Sequence, residues 1–145
     1  MLIGIHPALS PDVLHTIAAM GHGDCIVVVD ANFPASSVAA ETIIGKPLYM
    51  TLDAVAALGA ILTHLPIDTF TPEISPVQGM QIVGAPNGIP EVVANAAPLF
   101  AAHDQTVTLV ERMAFYESAK KAFAVIHTTE TLPYGNFLIR KGVVL

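Results

Sequence analysis

Charge is scarce in this sequence. Lys, Arg, Asp and Glu together make up 12% of it, about half the roughly 25% of an average soluble chain. Basic runs are missing: the six Lys and Arg residues are scattered and the formal net charge is −6. Nucleic-acid binding is therefore not expected, since phosphate neutralisation needs clustered cations. Long apolar runs are missing too. "LDAVAALGAIL" and "ANAAPLFAAH" are short and broken by Asp, Gly or Pro, well below the roughly 20 residues of a membrane span. Cysteine occurs once, at Cys25, which excludes an internal disulfide. The start "MLIGIHPALSPD" has neither a positive lead nor a small-residue cleavage site, so no secretory signal is expected. These absences together point to a cytoplasmic protein without nucleic-acid or membrane partners.

What is present is apolar: 53% of the residues are hydrophobic. A charge-poor surface with that composition is expected to hide apolar area against other copies of the chain, because exposed patches on monomers are usually small. At 145 residues the chain is long enough for one well-buried domain.

Ser10-Pro11-Asp12 makes a helix start, with a capping hydroxyl, Pro at the first helical position and an acid near the positive end. Gly21 is the expected stop. "CIVVV" is a continuous β-branched run, the mark of a strand covered on both faces. "ANFPASS" reads as a loop and "TIIGKPLYM" as a strand or extended segment. Thr51 is the expected cap of a helix over "LDAVAALGAILTHL". "PVQGMQIVG" reads as a strand, "PEVVANAAPLFAAH" as a helix kinked or restarted at Pro98, and "LVERMAFYESAKK" as a helix. "AFAVIHT" and "NFLIRKGVVL" read as strands joined by the turn "TETLPYG". The alternation predicts a single three-layer α/β domain over residues 1–145, with a mostly parallel or mixed sheet flanked by helices.

Several side chains bear on chemistry. His22 lies in "GHG" just before the most buried strand, and Asp30 ends that strand, where ligands of open α/β sheets bind. The bland readings are a histidine filling a turn and an aspartate forming one. Asp24 is placed to orient the His22 ring or to serve as a solvated turn acid. Arg112 and Tyr116, four apart, share a helix face; they can hold a polyol, or simply stack on one another. Tyr134 and Asn136 flank a glycine turn and offer a phenol and an amide to a small polar ligand. Six histidines show no HxxxH or HExxH spacing, so no metal site is indicated. Neither GxGxxG nor GxxxxGK[ST] occurs, so no nucleotide cofactor is indicated. Cys25, inside a β-branched run, reads as a small hydrophobe rather than a nucleophile. The remaining inventory is acid–base equipment without a cofactor.

"MGHGD", "DANFP", "FYESAKKAFAVIHTTE", "YGN" and "KGVV", in this order within a run of matches from residue 4 to residue 144, together resemble the ribose-pyranase/fucose-mutarotase family. The resemblance implies an α/β subunit assembling into rings, often decamers of two stacked pentamers, with a site near a subunit boundary. Residues matching the family's site are His22, Asp30, Arg112, Tyr116, Tyr134 and Asn136. The ribose-type branch usually has His and Lys where this chain has Arg112 and Tyr116, which favours the fucose type.

The reaction so implied interconverts the α and β anomers of L-fucose, or a related monosaccharide, by opening and reclosing the ring without a cofactor. In it His22 would be the principal acid–base and Tyr134 a second proton carrier. Asp30, Arg112 and Asn136 would hold sugar hydroxyls, and Tyr116 would hydrogen-bond or stack. The alternatives are a ribose-type pyranase converting pyranose and furanose forms, a non-catalytic sugar-binding ring, and a structural oligomer without a ligand.

Overall fold

A computed structural model describes residues 1–145. Eleven elements follow in the order α1 (Pro11–Ala19), β1 (Cys25–Val29), α2 (Ala35–Ala39), β2 (Leu48–Tyr49), α3 (Ala54–Leu62), β3 (Val77–Met80), α4 (Glu91–Ala101), β4 (Thr108–Val110), α5 (Arg112–Lys120), β5 (Ala124–His127) and β6 (Phe137–Arg140). The strands form one mixed sheet in the order β2-β5-β1-β6-β3-β4. Five strands point the same way, and β6 runs against its neighbours β1 and β3. No helix is long and apolar enough to cross a membrane.

The expected three layers are present. Alternation along β1 sends Ile26 and Val28 to one core, with residues of α1, α3 and α4, and Val27 and Val29 to the other, with residues of α2 and α5. This two-sided cover explains why "CIVVV" reads as unbroken apolar sequence.

Several boundaries differ from expectation, each for a local reason. The Ser10 hydroxyl accepts from the Val13 amide as expected, but α1 ends at Ala19, and Met20 turns out extended at φ −61° and ψ 139°. Gly21 is not the left-handed stop; Gly23 holds that conformation, at φ +88°. A cation replaces the glycine cap: the Lys141 ammonium donates to the Ile17 and Met20 carbonyls. The cap of α3 is Asp53, whose carboxylate accepts from the Ala56 amide at 2.8 Å, not Thr51. "ANFPASS" contains the short helix α2 rather than only a loop. Helix α4 runs unbroken through Pro98. The segment expected to open the helix "LVERMAFYESAKK" is divided: Leu109 and Val110 pair with β3 in β4, and α5 starts only after the Glu111 cap.

Close backbone approach fixes the far end of β6. Ile67 bridges Lys141, the Asp68 amide donates to the Arg140 carbonyl at 3.0 Å, and the Gly142 amide to the Pro66 carbonyl at 2.8 Å. A Cβ on Gly142 would stand 2.6 Å from the Ile67 carbonyl oxygen. Gly142→Ala is expected to destabilise by about 1–3 kcal/mol, the usual cost of forcing atoms into a packed site. A urea midpoint equivalent to a change within about 0.5 kcal/mol would show that the segment yields freely.

Candidate active site

The parallel strands β1, β3 and β4 end on one edge of the sheet, and β6 begins there. Into this edge opens a cleft of about 220 Å³ lined by Asp30, Asn32, Phe33, Met80, Arg112, Tyr116, Pro133, Tyr134 and Asn136. It is smaller than the roughly 300–1,000 Å³ pockets of drug-sized ligands. The edge is the one where ligands sit in open α/β sheets.

Asp30 organises the cleft. It is 4% exposed. One carboxylate oxygen accepts from the Asn32 amide at 3.0 Å; the other accepts from the Gly135 amide at 3.1 Å and the Asn136 side-chain amide at 3.0 Å. Asn136 answers by accepting from the Asp30 backbone amide at 3.1 Å, and its second N–H lies 3.9 Å from the Met80 sulfur. Of about four lone-pair positions on a carboxylate, three are taken. Asp30 and Asn136 thus first brace one another, leaving one acceptor position on Asp30 and one on Asn136 for a ligand.

The turn that carries Tyr134 is shaped by the same brace. Tyr134 sits at φ +63°, a conformation that costs a non-glycine residue and persists only when its surroundings impose it. A Cβ on Gly135 would meet the Glu130 Cγ at 2.8 Å and the Asp30 Cβ at 3.3 Å. Glu130 is itself buried and accepts from the Leu132 and Ala54 amides. The Tyr134 hydroxyl accepts from the Val83 amide at 3.2 Å, so its own proton remains free to donate. Across the cleft, Arg112 and Tyr116 project from the first turns of α5. The Tyr116 ring tilts against Phe33 with centroids 5.3 Å apart.

Five of the six residues expected from sequence therefore meet in one cleft, and His22 does not. It lies beyond the amino end of β1, and the strand between it and Asp30 separates the two by roughly 20 Å at about 3.3 Å per residue. There its Nε2 is 3.0 Å from Asp68 Oδ1, and its ring meets Phe70 edge-on with centroids 6.0 Å apart. The side chain of Asp68 is 1% exposed and that of His22 44%. Asp68 Oδ1 also accepts from the Phe70 amide at 2.9 Å, and Oδ2 from Arg140 Nε at 3.0 Å. Burial by itself raises the Asp68 pKa; hydrogen bonds from the Phe70 amide, the Thr71 side chain, His22 and Arg140 outweigh it and hold the carboxyl well below the usual range.

Of the two readings of Asp24, orienter of His22 or turn acid, the second holds: its carboxylate accepts from the Gly21 amide at 2.7 Å and closes the turn. Asp68 takes the orienting place. No local signal marks it, since it is 46 residues away in sequence; only the "KGVV" stretch that seats its segment hints at the contact. Sequence reasoning also missed Glu130 and the cleft-lining Met80. Burial pushes the Cys25 thiol above its ordinary pKa, in keeping with a resting, protonated side chain.

The model of the RbsD / FucU transport protein family matches residues 3–144. The chain belongs to this family. It is 40% identical over 150 residues to the fucose mutarotase of Danio rerio, covering 99% of this chain and 95% of that protein. The solved structure of the Streptococcus pneumoniae fucose mutarotase in complex with L-fucose superimposes with a TM-score of 0.87 at 35% identity, covering 99% of this chain and all of that one. A solved structure described as a putative sugar binding protein gives a TM-score of 0.92 at 45% identity, covering 100% of this chain and 97% of that one.

The carboxylate of this family member's Asp68 yields a stability prediction. Its folded-state pKa lies below the unfolded value of about 3.9. The stability it contributes is therefore complete above the unfolded value and lost as pH falls toward the folded one. The Tm difference between wild type and Asp68→Asn should accordingly shrink as pH drops below about 4; a gap unchanged at low pH would assign it to packing, not charge.

Proposed function

We propose that this chain is, over its whole length, a sugar mutarotase domain that interconverts the α and β anomers of L-fucose. The observation that carries the reading is the convergence of Asp30, Arg112, Tyr116, Tyr134 and Asn136 on one small cleft. The full-length likeness to fucose mutarotases supports it.

Anomer exchange needs little. A base takes the proton of the anomeric hydroxyl, the bond between C1 and the ring oxygen breaks, and an acid protonates that oxygen. The aldehyde turns about C1–C2, and the same groups run the steps backwards on its other face. Each positioned acid or base is worth about 10²- to 10⁴-fold. In the cleft Tyr134 is the proton carrier at hand, with its hydroxyl proton free. Arg112 and the open acceptor positions of Asp30 and Asn136 take sugar hydroxyls, while Phe33, Tyr116, Met80 and Pro133 supply apolar wall.

His22 is the second proton carrier, and within one chain it stands at the wrong end of β1. The reading therefore requires a second copy to bring its exposed imidazole to this cleft. A ring of subunits meets that requirement. The low charge and the exposed Met1, Leu2, Ile3, Val144 and Leu145 favour such self-association.

Magnetisation transfer between the anomeric protons of L-fucose tests the activity. Catalytic amounts of protein are expected to accelerate exchange, more than they accelerate ribose interconversion, and His22→Gln and Tyr134→Phe each to lose about 10²-fold or more. No acceleration of either sugar by an intact oligomer would leave a sugar-binding ring; a preference for ribose would make it a pyranase. Co-assembling His22→Gln with Tyr134→Phe chains should restore part of the rate, because some clefts then pair an intact Tyr134 with an intact His22 of another copy. No restoration in proven mixed oligomers would place both residues' action within one chain and overturn the shared site.

A further inference from the structure

We infer that Val83 is a positioning residue that acts through its backbone: its amide fixes the Tyr134 hydroxyl at the cleft and supports the charge left on that oxygen when its proton goes to the sugar. The inference rests on the mutarotase reading for the proton transfer, and on the geometry of the turn after β3 for the contact.

Val83 lies in the connection between β3 and α4. The Ala85 amide donates to the Ile82 carbonyl at 3.1 Å, and these two residues form an isolated antiparallel bridge. Gly84 stands at φ +78°, a sign that Val83 does not share. A four-residue turn with positive φ only at its third position is type II. Such a turn leaves the amide of its second residue unused. That amide, at Val83, donates to the Tyr134 hydroxyl at 3.2 Å across 51 residues of sequence. The turn is seated without help from the tyrosine. Gln81 bonds twice to β4, through its backbone amide on the Val110 carbonyl at 2.8 Å and its side-chain amide on the Leu109 carbonyl at 3.3 Å. A second turn follows directly, with the Gly88 amide on the Ala85 carbonyl at 2.9 Å. Val83 itself is 60% exposed, so packing does not account for its place. What it offers the cleft is an N–H.

A phenol oxygen accepts and donates at once. With the amide on its lone pair, Tyr134 keeps its O–H to give. In ring opening a base takes the anomeric proton, and the electron pair of that O–H bond becomes the second bond of the aldehyde. The pair of the broken C1–O bond stays on the ring oxygen, which takes the Tyr134 proton and leaves a phenolate. Closure returns the proton and restores the phenol. The Val83 N–H therefore faces a neutral oxygen in the resting cleft and an anionic one while the sugar is open. A hydrogen bond to an ionised acceptor is shorter and about twice as strong, and a donor already in place where charge develops needs no rearrangement. The contact thus strengthens along the reaction, which raises a rate rather than an affinity.

The turn itself supplies the test, because the second position of type II accepts proline and the bridged Ile82 before it is already extended, as proline requires of its neighbour. Val83→Pro deletes the N–H and keeps the turn. Its kcat for L-fucose anomer exchange is expected to fall about 10-fold or more, the worth of a hydrogen bond to a charged group, with KM changing less; Val83→Ala, which keeps the amide, should retain most of the rate. In a Tyr134→Phe background Val83→Pro should cost nothing further, since no hydroxyl is left to hold. Full activity of Val83→Pro, a loss confined to KM, or an equal loss in both backgrounds overturns the inference. Hydrogen exchange at the Val83 amide of the assembled protein reads the contact without catalysis: protection in wild type, lost in Tyr134→Phe. An amide unprotected in wild type, or equally protected without the hydroxyl, overturns the inference even if Val83→Pro does not fold. Failure of the mutarotase reading shows separately, as absent acceleration by wild-type protein whose Val83 amide is protected.

Discussion

Strand β6 runs against every strand beside it, and the polar clusters at both ends of the sheet hang on that reversal. Entering the sheet at the edge where β1, β3 and β4 finish, it brings Tyr134, Gly135 and Asn136 against Asp30. Leaving at the opposite edge, it delivers Arg140, Lys141 and Gly142 to the loop of His22 and the segment of Asp68. A parallel strand in this place would reach the two edges in the reverse order and put neither set where it is. Its residues Phe137 and Ile139 are fully buried, so the strand is gripped by the core while the segments at its ends hold the two polar clusters. Changes at either end are expected to be felt by the other only through this rigid body.

Scarce charge makes the buried carboxylates informative. Asp30, Asp68 and Glu130 are all nearly inaccessible. An unpaired charge taken out of water costs several kcal/mol, and each of these receives at least two N–H donors. Asp30 and Glu130 are held wholly by amides, from backbone and from Asn136; Asp68 alone is paired with a guanidinium and an imidazole. The first two hold the Tyr134 turn at a φ it would not adopt unaided, and the third presents a titratable partner at the surface.

Features governed by neighbours in sequence were legible in the sequence. The Ser10 cap, the doubly covered β1, the shared face of Arg112 and Tyr116, and the Tyr134–Asn136 turn all follow from spacings of four residues or fewer. Features decided by distant partners were not. Gly21 failed as a stop because a lysine 120 residues on, at Lys141, satisfies the helix carbonyls. Three-residue β4 carries too little pattern to stand out beside the helix it precedes, and its identity comes from pairing with β3. The orienter of His22 was sought at Asp24, two residues away, and lies instead at Asp68, which only the fold brings near.

The separation of His22 from the cleft constrains the assembly if the proposed reaction holds. The two patches differ and occupy opposite edges of one sheet, so a contact joining them head to tail is heterologous. Such contacts propagate until the rotation between copies closes the set. An open stack leaves one cleft without a histidine and one histidine without a cleft; a closed ring leaves none. Catalytic completeness and closure then become the same condition, and the apolar, charge-poor surface that looks wasteful in one chain becomes the material of the interface. Activity in such an enzyme is a property of the assembled state, and dilution below the association threshold removes it without unfolding a subunit.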